Sequence, residues 1–377
     1  MVRLIHIAPE LPPIVGGVAD YTAILSQRLV EVSDGTVEPV LMHAGNQPAE
    51  AIDVPFPVED LSGECSATAL AQATERLAAE GDGRAVVLLE YSGYGYASRG
   101  VPLWLARGLR RVCGDDGVPL ITMFHELYAT GPPWTSAFWV SPVQRFVAAQ
   151  FARTSVGILT THRENAKWLE TYRYSPDVSV DVQPSFSNVG EPDSCPPFDQ
   201  RTARIVVFGG SGRKSNIYVE NRKLLAELLN NRSFEKVLDI GPSDNIAFPD
   251  DDRITRRGIL SASEISSVLS FAMLGIVSYP GSRLGKSGAI AAFAAHGVPF
   301  LLLDEDGRGE TDLYDEGTHF WRVEKGMDED HSFSSETLGS AGRAIRNLYT
   351  DKMSSRHAAR HLLETVDRGL LRLNREA

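Results

Sequence analysis

Residues 274–306 read LGIVSYPGSRLGKSGAIAAFAAHGVPFLLLDED, and the rest of the chain is organised around them. Leu274 to Tyr279 is a short apolar, β-branched run closed by Pro280-Gly281, which reads as a buried strand. Ser287 to His296 is a run of small and apolar residues suited to a tightly packed helix, stopped by Gly297 and Pro299. Val298–Leu303 then returns as a second buried strand. Strand, glycine-containing loop, helix and strand make a βαβ unit.

The loop of that unit ends in Gly285-Lys286-Ser287-Gly288. The first turn of a helix has unsatisfied backbone N–H groups and a partial positive charge, and a lysine there adds a full one, so a phosphate is the expected guest. The same residues also read as a solvated Lys286 and a plain N-cap at Ser287. A P-loop requires four residues before its Gly-Lys-Ser, whereas only Ser282, Arg283 and Leu284 separate Gly281 from Gly285. A P-loop-like NTPase is therefore a secondary reading, with Asp304 as its one plausible Mg²⁺ carboxylate.

Working outward, a chain of 377 residues favours two domains. Hydrophobic content of 43% and charged content of 23% are those of a globular protein, and a net charge of −12 argues against a general nucleic-acid binder. Cys65, Cys113 and Cys195 lie far apart, which suggests a reducing compartment and no structural metal. The N-terminal apolar run is too short for a signal peptide, and no run reaches the length of a membrane span. The expected location is the cytoplasm, with peripheral contact at the inner face of the membrane left open.

Leu4–Ala8 reads as a strand, followed by a loop closing on Gly16-Gly17 and a helix from Asp20 to Val32. A glycine turn between strand and helix lets a ligand approach backbone closely. Strands are expected near Glu38–Met42, Ala85–Glu90, Pro119–Phe124 and Ser155–Thr160, with helices over 67–79, 103–112, 142–152 and 162–172 between and after them. Residues 90–100, EYSGYGYASRG, set three tyrosines at the carboxyl end of a strand, where open α/β sheets bind ligands. With Trp134 and Trp139 they suggest an aromatic-lined acceptor side, or else a packed wall. Five prolines between 175 and 198 mark a linker. A second alternating series then begins with strand Arg204–Phe208 and the loop GGSGRKSN, in which Arg213 and Lys214 are candidates for phosphate contact. The expected architecture is α/β: two doubly wound, Rossmann-like domains (1–185 and 186–350) facing each other across a cleft, with a C-terminal helix (351–377) that could pack back on the first.

The loop APELPPIVGGVADY (8–21), the strand end Phe124-His125-Glu126 and the region Gly258–Phe300 together resemble the family 4 (group 1) glycosyltransferases of GT-B fold. The resemblance implies transfer of a sugar from a nucleoside diphosphate sugar, held mainly by the second domain, to a carbohydrate or lipid-linked acceptor held mainly by the first, as in polysaccharide or glycoconjugate biosynthesis. It implies that Gly16 and Gly17 approach the donor diphosphate and that His125 contacts the donor sugar. Arg213 matches the arginine of a diphosphate clamp whose lysine has Lys214 as its nearest candidate. The segment around Leu260 would hold the base, and Ser282 to Gly288, including Lys286 and Ser287, would line the diphosphate and sugar. The family's two glutamates, with seven residues between them, fall here on Leu284 and Ala292, which cannot hydrogen-bond a hydroxyl.

The expected chemistry needs no cofactor and no metal, since cations and helix N-termini stabilise the leaving diphosphate. The acidic runs 250–252, 304–306 and 328–330 read as solvated turns. Retention, the route of most of the family, lets the leaving phosphate take the acceptor proton. Inversion requires a base, for which Asp20, His125 and Glu126 are the candidates. A non-catalytic sugar-nucleotide-binding relative of the same fold is the alternative.

Overall fold

The computed structural model describes residues 1–14, 16–46, 51–81, 84–114, 117–230, 234–305, 307, 311–323 and 333–376. The acidic run 328–330 and Asp306 lie outside them. The chain divides into two units, Met1–Gln183 with Ser355–Ala377, and Pro184–Ser354.

The first unit holds β1 (Val2–Ala8), α1 (Gly17–Val32), β2 (Val37–His43), β3 (Val58–Asp60), α2 (Ala67–Ala79), β4 (Ala85–Tyr91), the short α3 (Gly93–Tyr96), α4 (Leu103–Cys113), β5 (Leu120–Phe124), α5 (Ser136–Thr154), β6 (Gly157–Thr160), α6 (Arg163–Glu170) and β7 (Val180–Val182). Its seven strands form one parallel sheet in the order β3-β2-β1-β4-β5-β6-β7. Strands such as β4 (AVVLLEY) and β5 (LITMF) are near-continuous apolar runs because helices cover both faces of such a sheet. Ile5 of β1 lies opposite Val40 of β2 and Val87 of β4, and all three are buried in one core.

The second unit holds β8 (Arg204–Phe208), α7 (Ser211–Ser215), α8 (Arg222–Asn230), β9 (Lys236–Ile240), β10 (Ile254–Gly258), α9 (Ala262–Ser270), β11 (Leu274–Tyr279), α10 (Gly288–Ala295), β12 (Phe300–Asp304), β13 (Phe320–Arg322) and α11 (Ser335–Lys352). Its six strands are also parallel, ordered β10-β9-β8-β11-β12-β13. Ile276 of β11 lies between Val207 of β8 and Leu301 of β12 at the centre of that core. The strand order reverses at β1/β4 in one sheet and at β8/β11 in the other, and ligands bind beyond the carboxyl ends of strands at such points.

The last helix, α12 (Ser355–Glu376), belongs to the first unit. It packs on α1, where Arg28 Nε donates to Ser355 Oγ at 3.0 Å. It also lies so close to the start of β6 that a Cβ on Gly157 would fall 2.4 Å from Thr365 Cγ2. The loop expected over GGSGRKSN is instead the helical turn α7, continued by a π turn at Asn216–Glu220, and GSRLGK is a 3-10 helix (Gly281–Lys286). Helix α5 begins six residues before Pro142, so the proline lies inside the helix, in its second turn, and cannot donate to the carbonyl of Phe138.

Candidate functional site

In the first unit the site residues gather at the carboxyl edge of the sheet. His125 follows β5 directly, and its amide donates to Tyr91 O at 3.0 Å, so its position is fixed by the sheet ladder. Its imidazole Nε2 donates to Oε2 of Glu90, the penultimate residue of β4, at 2.6 Å. The other carboxylate oxygen, Oε1, accepts from Nε2 of His6 in β1 at 2.7 Å, and His6 Nδ1 lies 2.8 Å from Ser26 Oγ in α1. Glu90 and His6 are fully buried, whereas the His125 side chain is 11% exposed. Burial alone would raise the Glu90 carboxyl, but the hydrogen bonds from His125 and His6 outweigh it and hold the pKa down to about 2. A permanent carboxylate that accepts Nε2–H leaves Nδ1 of His125 as the ring's acceptor nitrogen. Tyr21 of α1 meets the His125 ring edge-on, with centroids 5.0 Å apart.

Helix α1 starts at an extended Gly16 that offers no side-chain cap, so its first amides are not taken up by a cap side chain. A Cβ on Gly16 would fall 2.6 Å from Glu10 Oε2, while one on Gly17 would meet nothing within 4 Å. Gly17 is thus open to solvent. Asp20 sits half-buried in the first turn of α1, and Glu126 is exposed beside His125.

In the second unit Arg213, in α7 after β8, stacks its guanidinium 3.8 Å from the centre of the Tyr279 ring at the end of β11. Burial raises the Tyr279 hydroxyl, and the charge and hydrogen bond of Arg213 pull it the other way. Beside them, Asn216 Nδ2 donates to Ser278 Oγ at 2.8 Å and Ser278 Oγ donates to Glu305 Oε1 at 2.9 Å. Arg213, Tyr279 and the exposed Glu305 therefore stand together where β8, β11 and β12 end.

Lys214 differs from the expected phosphate contact. It is buried, and its ammonium donates to Asp239 Oδ1 and Ile240 O at 2.9 Å and to Ser243 Oγ at 3.2 Å. All three protons are engaged, so Lys214 ties α7 to the end of β9. Ser287 is the N-cap of α10, its Oγ accepting from Ile290 N at 3.3 Å, and the half-buried Ser282 and Lys286 belong to the 3-10 helix before it. Gly288 opens α10 with only Asn188 Oδ1 within 4 Å of where a Cβ would stand.

The 3-10 helix also removes the P-loop reading. Amides of Arg283 and Ser287 donate to Pro280 O and Leu284 O, and that of Gly281 donates to Asp304 Oδ1 at 2.9 Å. A segment whose amides turn inward does not wrap a phosphate. Asp304 Oδ2 in turn lies 2.9 Å from Arg322 Nε, so this carboxylate is held within the protein. Leu284 and Ala292 are both fully buried, which places the two positions of the family's glutamates in the core. Leu260 is half-buried between Gly258, whose φ is +65°, and the capping box of α9 at Ser261 and Glu264. Among the described residues no cluster of three His, Cys, Asp or Glu side chains is arranged for a metal. Asp251 is pulled down by Arg253, consistent with a surface turn.

Sequence reasoning missed Glu90 and Glu305. Glu90 is next to last in a buried strand and Glu305 directly follows one, and a charged residue at such a place is itself the available signal.

No protein-family model matches the chain, and no curated protein matches it. Solved structures do match over nearly its whole length. HepE (Alr3699) of Anabaena, in complex with UDP and glucose, aligns with a TM-score of 0.59 at 10% identity, over 97% of this chain and 100% of that one. UGT2 of Phytolacca americana, complexed with UDP-2fluoro-glucose and pterostilbene, aligns at 0.55 and 13% identity over 98% and 100%. The trehalose-6-phosphate synthase OtsA aligns at 0.58 and 10% identity over 97% and 99%. With two parallel sheets of Rossmann strand order and these likenesses, the chain has the GT-B fold, built of two Rossmann-like domains.

Proposed function

We propose that this chain is a glycosyltransferase, allied to family 4 by its motifs, that moves a hexosyl group without a metal from a nucleoside diphosphate sugar to a hydroxyl of a carbohydrate or lipid-linked acceptor on the cytoplasmic side of the membrane. The observation that carries the reading is His125, fixed at the carboxyl edge of a GT-B sheet by a carboxylate buried behind it. Arg213 and the N-terminus of α10, both in the second unit, supply positive charge for the diphosphate as its bond to the anomeric carbon breaks. HepE and UGT2 hold UDP or a UDP-sugar analogue, so UDP-hexoses are the first donors to try.

In the retaining form, the acceptor oxygen bonds to the anomeric carbon while its proton passes to the leaving phosphate oxygen, and His125 positions the sugar. One observation favours a second form, inversion. The Glu90 carboxylate holds the proton on Nε2 of His125 and stabilises the imidazolium that forms if Nδ1 takes the acceptor proton. Proton NMR of the product's anomeric configuration separates the two.

The test of function is release of UDP from labelled UDP-hexoses, with and without added sugar acceptors, in EDTA. Turnover is expected for wild type, with a loss of about 10²-fold or more in His125→Ala. Binding of nucleoside diphosphate without turnover would instead mark a non-catalytic relative, and absence of binding to every nucleoside diphosphate would end the proposal.

A further inference from the structure

The first half of α5 is built inside out. Its buried side carries Ser141 and Gln144, and the Gln144 amide accepts from Ala129 N at 2.6 Å and donates to Arg99 O at 2.9 Å. Its outward side carries Phe138, Trp139, Pro142, Val143 and Phe146, an unbroken apolar stripe at helical spacing. Trp134 stands exposed just before the helix. Trp134, Trp139 and Phe146 are 84%, 71% and 55% exposed. Among the described residues, five of the thirteen exposed large hydrophobic side chains fall within residues 134–146. Scattered exposed apolar residues need no explanation, but a contiguous aromatic face does.

The charge around this face indicates what covers it. In a chain with 49 acidic residues and net charge −12, segments 91–114 and 127–154 contain six arginines and no Asp, Glu or Lys. Arg107, Arg110 and Arg111 are exposed on α4, which packs beside α5, and the exposed Arg145 adjoins Phe146 with its guanidinium 4.2 Å from the centre of the Tyr128 ring. Glu126, Asp115 and Asp116 are the carboxylates in the sequence between the two segments. A tryptophan and phenylalanine face flanked by arginine is the composition of a helix lying in the boundary between acyl chains and anionic headgroups. No helix of the described residues is long and apolar enough to cross a membrane, so the contact is with its surface.

We propose that Trp134 and the outward face of α5 dock this protein on an anionic lipid surface, with the aromatic side chains entering the headgroup region and the arginines of α4 and α5 binding lipid phosphates. The occupant is a bilayer, and a second copy of the chain or another protein is an outcome of the test.

The test is co-sedimentation of the full chain with vesicles of phosphatidylcholine alone and of phosphatidylcholine mixed with phosphatidylglycerol, at low and high salt. Binding is expected to the mixed vesicles only, weakened by salt, with a blue shift of tryptophan emission. Trp139→Ser/Phe146→Ser is expected to lose at least about tenfold in partitioning, and Arg110→Gln/Arg111→Gln about 25-fold, from about fivefold per arginine near an anionic surface. Because these side chains are exposed, the variants should keep the wild-type melting temperature, which is measured alongside. Wild-type protein remaining in the supernatant with mixed vesicles would overturn the proposal, as would equal binding by the variants. So would a lipid-free dimer that dissociates in Trp139→Ser/Phe146→Ser, which would assign the face to a protein interface.

Discussion

Replacing Glu90 by glutamine tests the arrangement behind His125 most directly. The carboxylate accepts from two imidazoles, His6 at 2.7 Å and His125 at 2.6 Å. Glutamine offers one acceptor oxygen and an NH₂ that donates, so one imidazole must move its proton to Nδ1 or face a donor with a donor. The fall of the Glu90 pKa from 4.5 to about 2 corresponds to about 3 kcal/mol of stability at neutral pH. Because the folded-state pKa is the lower one, that contribution is present above about pH 4.5 and is lost as the pH falls toward 2. Glu90→Gln lacks it at every pH. For a unit of roughly 200 residues, about 3 kcal/mol lowers the melting temperature by about 6–12 °C at pH 7. Differential scanning calorimetry of both proteins from pH 7 down to pH 3 should show that gap narrowing once the pH drops below about 4.5. A gap under about 2 °C at pH 7, or one that widens with acid, would refute the account of Glu90 as a buried carboxylate held by two histidines.

Three other substitutions probe the second unit. Lys214→Met leaves Asp239 buried with, among the described residues, Tyr218 and Ser243 as side-chain partners and should cost about 3–5 kcal/mol in urea unfolding, much of it recovered by adding Asp239→Asn. Ser287→Ala removes the N-cap of α10 and should cost about 1 kcal/mol by the same measurement. Gly281→Ala would place a Cβ 2.6 Å from Asp304 Oδ2 and 3.0 Å from Arg322 Nη2, and the overpacking should cost about 1–3 kcal/mol, read as a lowered urea midpoint with unchanged slope.

The sheets were legible in the sequence because their strands are apolar runs punctuated by glycine and proline, as in 274–279 and 300–304. The three-residue strands β3, β7 and β13 were not, since so short a segment has no periodicity to read and is defined by its neighbour. His125 was legible from its place at a strand end. Its partners were not, because Glu90 and His6 are 35 and 119 residues away in sequence and only the sheet order β1-β4-β5 brings them together. Lys214 misled in the opposite sense. A glycine-rich, basic turn after a strand looks the same whether its lysine faces a ligand or, as here, a buried aspartate. The sequence places a helix over 142–152 without saying which of its faces is covered, since that depends on what packs against the helix.

That α12 completes the first unit has a consequence for how the protein is made. Residues 1–183 leave the ribosome first, yet the helix that covers α1 and closes on β6 emerges only after the whole second unit has been translated. At about 5–20 residues per second, the delay is on the order of ten to thirty seconds. Throughout it, apolar surface meant for α12 faces solvent or a chaperone, while the second unit, contiguous in sequence, is free to finish. Translation and folding therefore run in opposite order, and a nascent chain stopped before residue 355 carries one finished unit and one that lacks its last helix.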